Sequence, residues 1–197
     1  MSTETAAPAP EATNPDLPAN PTFWNYVGYW FPHLVAFGYA LVILAAISTQ
    51  FIGTDMPCPL CVLQRMAMML IGIAAIWMVG QARKGMLTLA AYARSYGLMI
   101  VAAMLGATMS TRQIELHILP GDAGYGDAVL GLHLYTWALI TFIVVIAYSA
   151  IMLMFFKPTL PVAPSGNAAL WISRILVWAF IIIIIANVVL IFAEEGF

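Results

Sequence analysis

Pro57-Cys58-Pro59-Leu60-Cys61-Val62-Leu63-Gln64-Arg65 marks the point where a short polar turn enters a long apolar run, and it holds both cysteines of the 197-residue chain. Pro57 disfavours helix just before it. Pro59 suits the first turn of the helix that follows. The run from 61 to 80 has about the 20 residues that a helix needs to cross hydrocarbon. Working outward, four more such runs lie at 31–51, 93–111, 132–156 and 169–192. Tyr92, Arg94 and Tyr96 blur the start of the third. The chain is 63% hydrophobic and 8% charged, against about 25% charged in soluble domains. The fold class is therefore all-α: a polytopic membrane helix bundle of five transmembrane helices.

Residues 1–22 are rich in Ala, Pro, Thr and Asn and contain no Lys or Arg. They read as a disordered cytoplasmic tail, because they have little to bury, and not as a basic secretory leader. Residues 23–157 form the expected four-helix domain, and 158–197 a Pro-broken linker with the extra helix. Arg83, Lys84 and Arg94 lie between spans two and three, and Lys157 and Arg174 between or beside spans four and five. The other side has only Arg65 and Arg112. The excess of basic residues places the first set in the cytoplasm. The N-terminus is then inside, and Cys58 and Cys61 lie at the outer face. In a bacterium this is the oxidising periplasmic side of the inner membrane, where a disulfide persists. The net charge of −2 gives no reason to expect a nucleic-acid partner.

The C-x-x-C pair can be read three ways. As a redox pair, Cys58 falls near the N-cap and Cys61 inside the first turn. A helix N-terminus favours negative charge there, and the thiolate is the nucleophile of disulfide exchange. Alternatively, both are small buried residues. A zinc site with His117 and His133 is the third reading, but it has no second close-spaced ligand pair. Metal is therefore not expected. Arg65 shares a helix face with Cys61. A cation inside an apolar segment is a functional candidate, here for a reduced quinone oxygen or a thiolate, although it could also snorkel to the interface. Gln64 can hydrogen-bond beside it. Arg112 and Gln113 end the third span on the same side, where they either cap a quinone headgroup pocket or mark the interface. Leu116-His117-Ile118-Leu119 reads as an amphipathic turn in the interface. Tyr135 and Trp137 read as an aromatic belt, and Met66, Met68 and Met69 as adaptable packing. Asn187 is expected to bond to a neighbouring helix, and His33 has no assigned role.

The Pro-Cys-Pro-Leu-Cys-x-x-Gln-Arg pattern closely resembles the disulfide bond formation protein B (DsbB) family over roughly residues 33–156. The resemblance implies a bacterial inner-membrane four-helix bundle that reoxidises a periplasmic thiol oxidase and passes electrons to ubiquinone or menaquinone. It implies that Cys58 is the sulfur attacked in exchange, that Cys61 faces the quinone, and that Arg65 contacts it. Arg112-Gln113 and the following Leu116–Pro120 resemble the family's segment after the third span, where a histidine often stands in place of Gln113. The family's second periplasmic cysteine pair is missing, since residues 112–131 contain no cysteine. Cys58 would then meet a periplasmic thiol oxidase or another dithiol protein directly. The rival reading is a non-catalytic quinone-binding or anchoring subunit of a larger respiratory or dehydrogenase complex. A transporter fits less well, as neither inverted repeats nor broken helices are visible.

Overall fold

The computed structural model describes residues 14–18, 20–52, 58–119, 121, 124 and 128–195. Pro57, Asp55, residues 1–13 and Pro120, Asp122, Gly126 and Asp127 of the long loop lie outside the described residues. Helices α1 (Phe23–Ile52), α2 (Pro59–Arg83), α3 (Leu89–Leu116) and α4 (Leu134–Met154) are followed by a single turn, α5 (Phe156–Thr159), and by α6 (Asn167–Glu195). The five long helices are each apolar enough to cross a membrane. The fold is a polytopic helical bundle, and no strand is present among the described residues.

Two spans begin earlier than the hydropathy suggests, for one physical reason. Asn25, Tyr29 and His33 dilute the apolar character at the start of α1, yet all three are buried. Each finds a partner on another segment or in its own turn. Asn25 Nδ2 donates to the Leu160 carbonyl at 2.9 Å, and its Oδ1 accepts from the Thr22 amide at 2.8 Å. The latter is the return half of a capping box. Pro32 lies within the helix. At the start of α3, Thr88 caps the helix by accepting from the Ala91 amide at 3.1 Å. Tyr92 then donates to the Met152 carbonyl at 2.8 Å, and Tyr96 meets the Tyr148 hydroxyl at 3.0 Å. In hydrocarbon such groups are tolerated where neighbouring helices satisfy them.

Helix α2 ends in a Schellman motif. Gly85, at φ 66°, donates to the Ala82 carbonyl at 3.1 Å, and Met86 donates to the Gln81 carbonyl at 3.0 Å. Glycine is suited to that left-handed position. Part of the N-terminal segment docks on this turn. Asn14 Nδ2 donates to the Leu87 carbonyl at 2.9 Å, and Asp16 Oδ2 accepts from the Leu89 amide at 3.0 Å. Asp16 thereby places a carboxylate at the positive end of α3. Composition alone, which pointed to disorder through residue 22, carried no signal for these bonds.

Packing runs α1 on α2, α2 on α3 and α3 on α4. Aromatic pairs close the ring between α1 and α4: Phe31 stacks on Tyr148 at 5.3 Å, and Tyr39 meets Phe142 at 6.2 Å. Two glycines act as notches. The Phe142 ring of α4 fills the space that a Gly106 Cβ would occupy on α3, and the Phe180 ring of α6 does the same at Gly72 on α2. Helix α6 lies outside the four-helix ring, against α1 and α2. The 155–166 connection brings it there: the Thr159 carbonyl sits where a Gly28 Cβ would be, and Leu160 is buried. A polar pin fixes the start of α6. Tyr29 Oη donates to Ser173 Oγ at 2.8 Å, Ser173 Oγ lies 2.8 Å from His33 Nε2, and His33 Nδ1 lies 2.9 Å from the Tyr29 carbonyl. A carbonyl only accepts, so Nδ1 carries the proton and Nε2 can accept from the serine.

The notch at Gly106 leads to a packing prediction. Gly106→Val lowers stability by about 1–3 kcal/mol through overpacking. Adding Phe142→Ala recovers part of that loss, because the two sites share one volume. Thermal unfolding of the single and double variants in detergent checks both outcomes.

Candidate functional site

The cysteine pair is built by the helix start. Pro59 occupies the first turn of α2, and a residue before proline is driven to extended backbone. Cys58 accordingly has φ −60° and ψ 136° and stands at the N-cap, with Pro59 next. The Val62 amide closes the first turn onto the Cys58 carbonyl at 3.1 Å. Cys61 is therefore the third residue of the helix. Both cysteines are free thiols and half-buried, and they lie close enough to interact electrostatically.

Gln113 comes to this turn from the end of α3. Its side chain is fully buried, at 0% exposure. Its Nε2 lies 3.3 Å from Cys61 Sγ, and its Oε1 accepts from Gln64 Nε2 at 2.8 Å. Gln64 is buried as well. The Gln64 contact orients the Gln113 amide so that its N–H faces the sulfur. A thiol can also donate to Oε1 across 3.7 Å. The amide thus serves both states of Cys61: it accepts from the thiol, and it donates to a thiolate.

Arg65 lies one turn further along α2 and is buried at 6% exposure. Its Nη1 makes a long 3.5 Å hydrogen bond to Asn187 Oδ1 of α6. Asn187 Nδ2 in turn donates to Met69 Sδ at 3.6 Å. A guanidinium carries five N–H donors in a planar fork. Such a fork can donate to a carbonyl-type oxygen held in apolar surroundings beside a thiol.

The structure brings Cys61, Gln64 and Gln113 together, with Cys58 and Arg65 on the same turns of α2. It does not bring Arg112 to them. Arg112 points to the surface, with its side chain 62% exposed, and pairs with Glu115 at 3.3 Å. Adjacent helix residues point about 100° apart, and in the present rotation of α3 it is Gln113 that faces the bundle. Asn187 was expected to meet a neighbouring helix, but its contact with Arg65 was not foreseen. The available signal was a lone amide in the apolar stretch 180–193.

The expected interfacial turn at 116–119 begins inside α3, which runs to Leu116. Ile118 and Leu119 beyond it are exposed. The rings of His117 and His133 both stack on Tyr135, at 5.9 and 5.2 Å. Trp137 Nε1 donates to the Val129 carbonyl at 2.9 Å and ties down the tight turn 129–132. His33 lies in the Ser173 pin near the start of α1.

Comparison with known families matches this part of the chain. Residues 29–125 match the family described as Disulfide bond formation protein DsbB. Over that segment the chain is similar to the DsbB family. The matched stretch holds the cysteine pair, Arg65 and Gln113, and ends before α4. A curated relative, Disulfide bond formation protein B of Chromobacterium violaceum, is 37% identical over 89 residues, which is 45% of this chain. The chain spans about half of that relative's length, 51%. No solved structure matches.

The Gln113 geometry predicts the reactivity of Cys61. Gln113→Leu removes the N–H that faces the sulfur and slows alkylation of Cys61 by about three- to tenfold, in keeping with the net loss of one ordinary hydrogen bond. Arg112→Ala leaves the rate unchanged. Maleimide labelling in detergent, run in a Cys58→Ser background, measures both.

Proposed function

We propose that this protein is a membrane disulfide bond formation protein, a thiol–disulfide oxidoreductase that passes electrons from a periplasmic dithiol protein through Cys58 and Cys61 to a membrane quinone. The observation that carries the reading is the fully buried Gln113 amide facing Cys61 Sγ at 3.3 Å, one turn from the buried Arg65. The match of residues 29–125 to the DsbB family model supports it. The distribution of basic residues supports an inner-membrane location with the N-terminus cytoplasmic and the cysteines periplasmic.

In this mechanism a thiolate of the partner attacks Cys58 Sγ of the Cys58–Cys61 disulfide. Cys58 stands at the N-cap, outside the first turn that holds Cys61. The S–S bond breaks and Cys61 leaves as a thiolate, onto which Gln113 Nε2 donates. The partner's second thiol then attacks its own sulfur in the mixed disulfide and releases Cys58. The partner has lost two electrons and two protons, and the pair is now a dithiol. A membrane quinone, ubiquinone or menaquinone, supplies when bound the two-electron, two-proton acceptor that returns the pair to the disulfide. Arg65 would hold its oxygen. Gln64 keeps the Gln113 amide aimed at the sulfur throughout. With no cysteine in residues 112–131, the partner dithiol exchanges with Cys58 directly.

The test is quinone reduction by the purified protein with a dithiol donor, followed by ultraviolet absorbance. Cys58→Ser and Cys61→Ser each abolish turnover. Turnover retained in either variant sinks the mechanism. Quinone binding without turnover, together with a stable co-purifying membrane complex, would favour the anchoring-subunit reading instead.

A further inference from the structure

We propose that Asn187 is a positioning residue for Arg65, which makes the added fifth membrane-spanning helix part of the redox site. The inference rests on the reading of Arg65 as the group that holds the electron acceptor.

Asn187 is the only residue with a polar side chain in 180–193, and it is fully buried. An amide transferred into an apolar setting without partners is costly, by several kcal/mol in alkane. Both ends of this one are used: Oδ1 accepts from Arg65 Nη1 at 3.5 Å, and Nδ2 donates to Met69 Sδ at 3.6 Å. Arg65 and Met69 are four apart, so they form one stripe of α2, and the amide straddles it. Its height along α2 is set independently. Phe180, seven residues earlier on α6, sits in the notch at Gly72, three residues beyond Met69. The two helices run antiparallel here, and the notch registers one against the other. With Nη1 engaged by a fixed oxygen, the planar guanidinium has a set orientation relative to the α2 turn that carries Cys61.

The bland alternative is that Asn187 only glues α6 to the bundle, as polar residues between membrane helices often do. The Ser173 pin separates the two roles. It holds the other end of α6 through Tyr29 and His33, far along the helix from Arg65, and it plays no part in the proposed chemistry. The experiment compares Asn187→Leu with Ser173→Ala in the full-length protein in detergent. It uses decylubiquinone as acceptor and dithiothreitol as donor, with Tm recorded for each variant. Asn187→Leu is expected to raise the KM for decylubiquinone about tenfold, as for loss of a hydrogen bond to a charged group. It should leave the KM for dithiothreitol and the saturated kcat within about twofold. Ser173→Ala is expected to lower Tm and move neither KM. If Asn187→Leu does not yield folded protein, Asn187→Gln keeps the amide but shifts it by one methylene, and it is expected to raise the same KM. An unmoved quinone KM, or equal shifts in Asn187→Leu and Ser173→Ala, overturns the positioning role alone. No cysteine-dependent turnover in the wild-type protein overturns the parent reading, and this one with it.

Discussion

A buried amide in hydrocarbon has no water to turn to, and that constraint organises this bundle. Gln113 is the central case. At 0% exposure, it must find its partners on α2, and it finds Gln64 and Cys61. To do so, the end of α3 must meet the start of α2 in one rotational setting. The same demand recurs at the other end of the bundle, where Tyr92 reaches the Met152 carbonyl and Asn25 the Leu160 carbonyl. Apolar packing between membrane helices is weakly directional, because lipid tails are as apolar as the side chains. The polar pairs supply the direction, and the notches at Gly72 and Gly106 supply the depth.

The division of labour along α2 follows from its first two turns. Pro59 sets Cys58 outside the helix and Cys61 inside it, so the two sulfurs meet different surroundings. Cys58 stands at the N-cap, ahead of the helix. Cys61 is against Gln113, within the membrane-spanning part. The proposed relay, with a water-borne partner on one side and a lipid-borne acceptor on the other, uses this asymmetry. Two residues of local sequence, Cys58 and Pro59, generate it.

Much of this was readable from the chain. Five apolar runs announced five helices, and the C-x-x-C with Gln64 and Arg65 pointed to the candidate site. The starts of α1 and α3 were misplaced by several residues because hydropathy scores Asn25, Tyr29, Tyr92 and Tyr96 as interruptions. In the fold they are satisfied across helices and continue the span. The roles of Arg112 and Gln113 could not be separated in sequence, since which neighbour faces inward depends on how α3 is rotated against α2. Asn187 was legible as a residue in need of a partner. That the partner is Arg65 depends on the register between α6 and α2, and the Phe180 notch decides that register. The bonds of Asn14 and Asp16 to the α2–α3 turn left no trace in composition, because they involve two side chains and three backbone groups.

The place of α6 also bears on how the molecule comes to exist. Arg65 and Asn187 are separated by 122 positions, and the chain enters the bilayer from its N-terminal end. The arginine is therefore lodged in the membrane well before its amide partner has been synthesised. During that interval α1 to α4 can gather, but the flank of α2 that carries Arg65 and Met69 still faces lipid or headgroups. Closure of that flank waits for α6, so a chain cut short after α4 would keep its cysteines and lack the wall beside its cation.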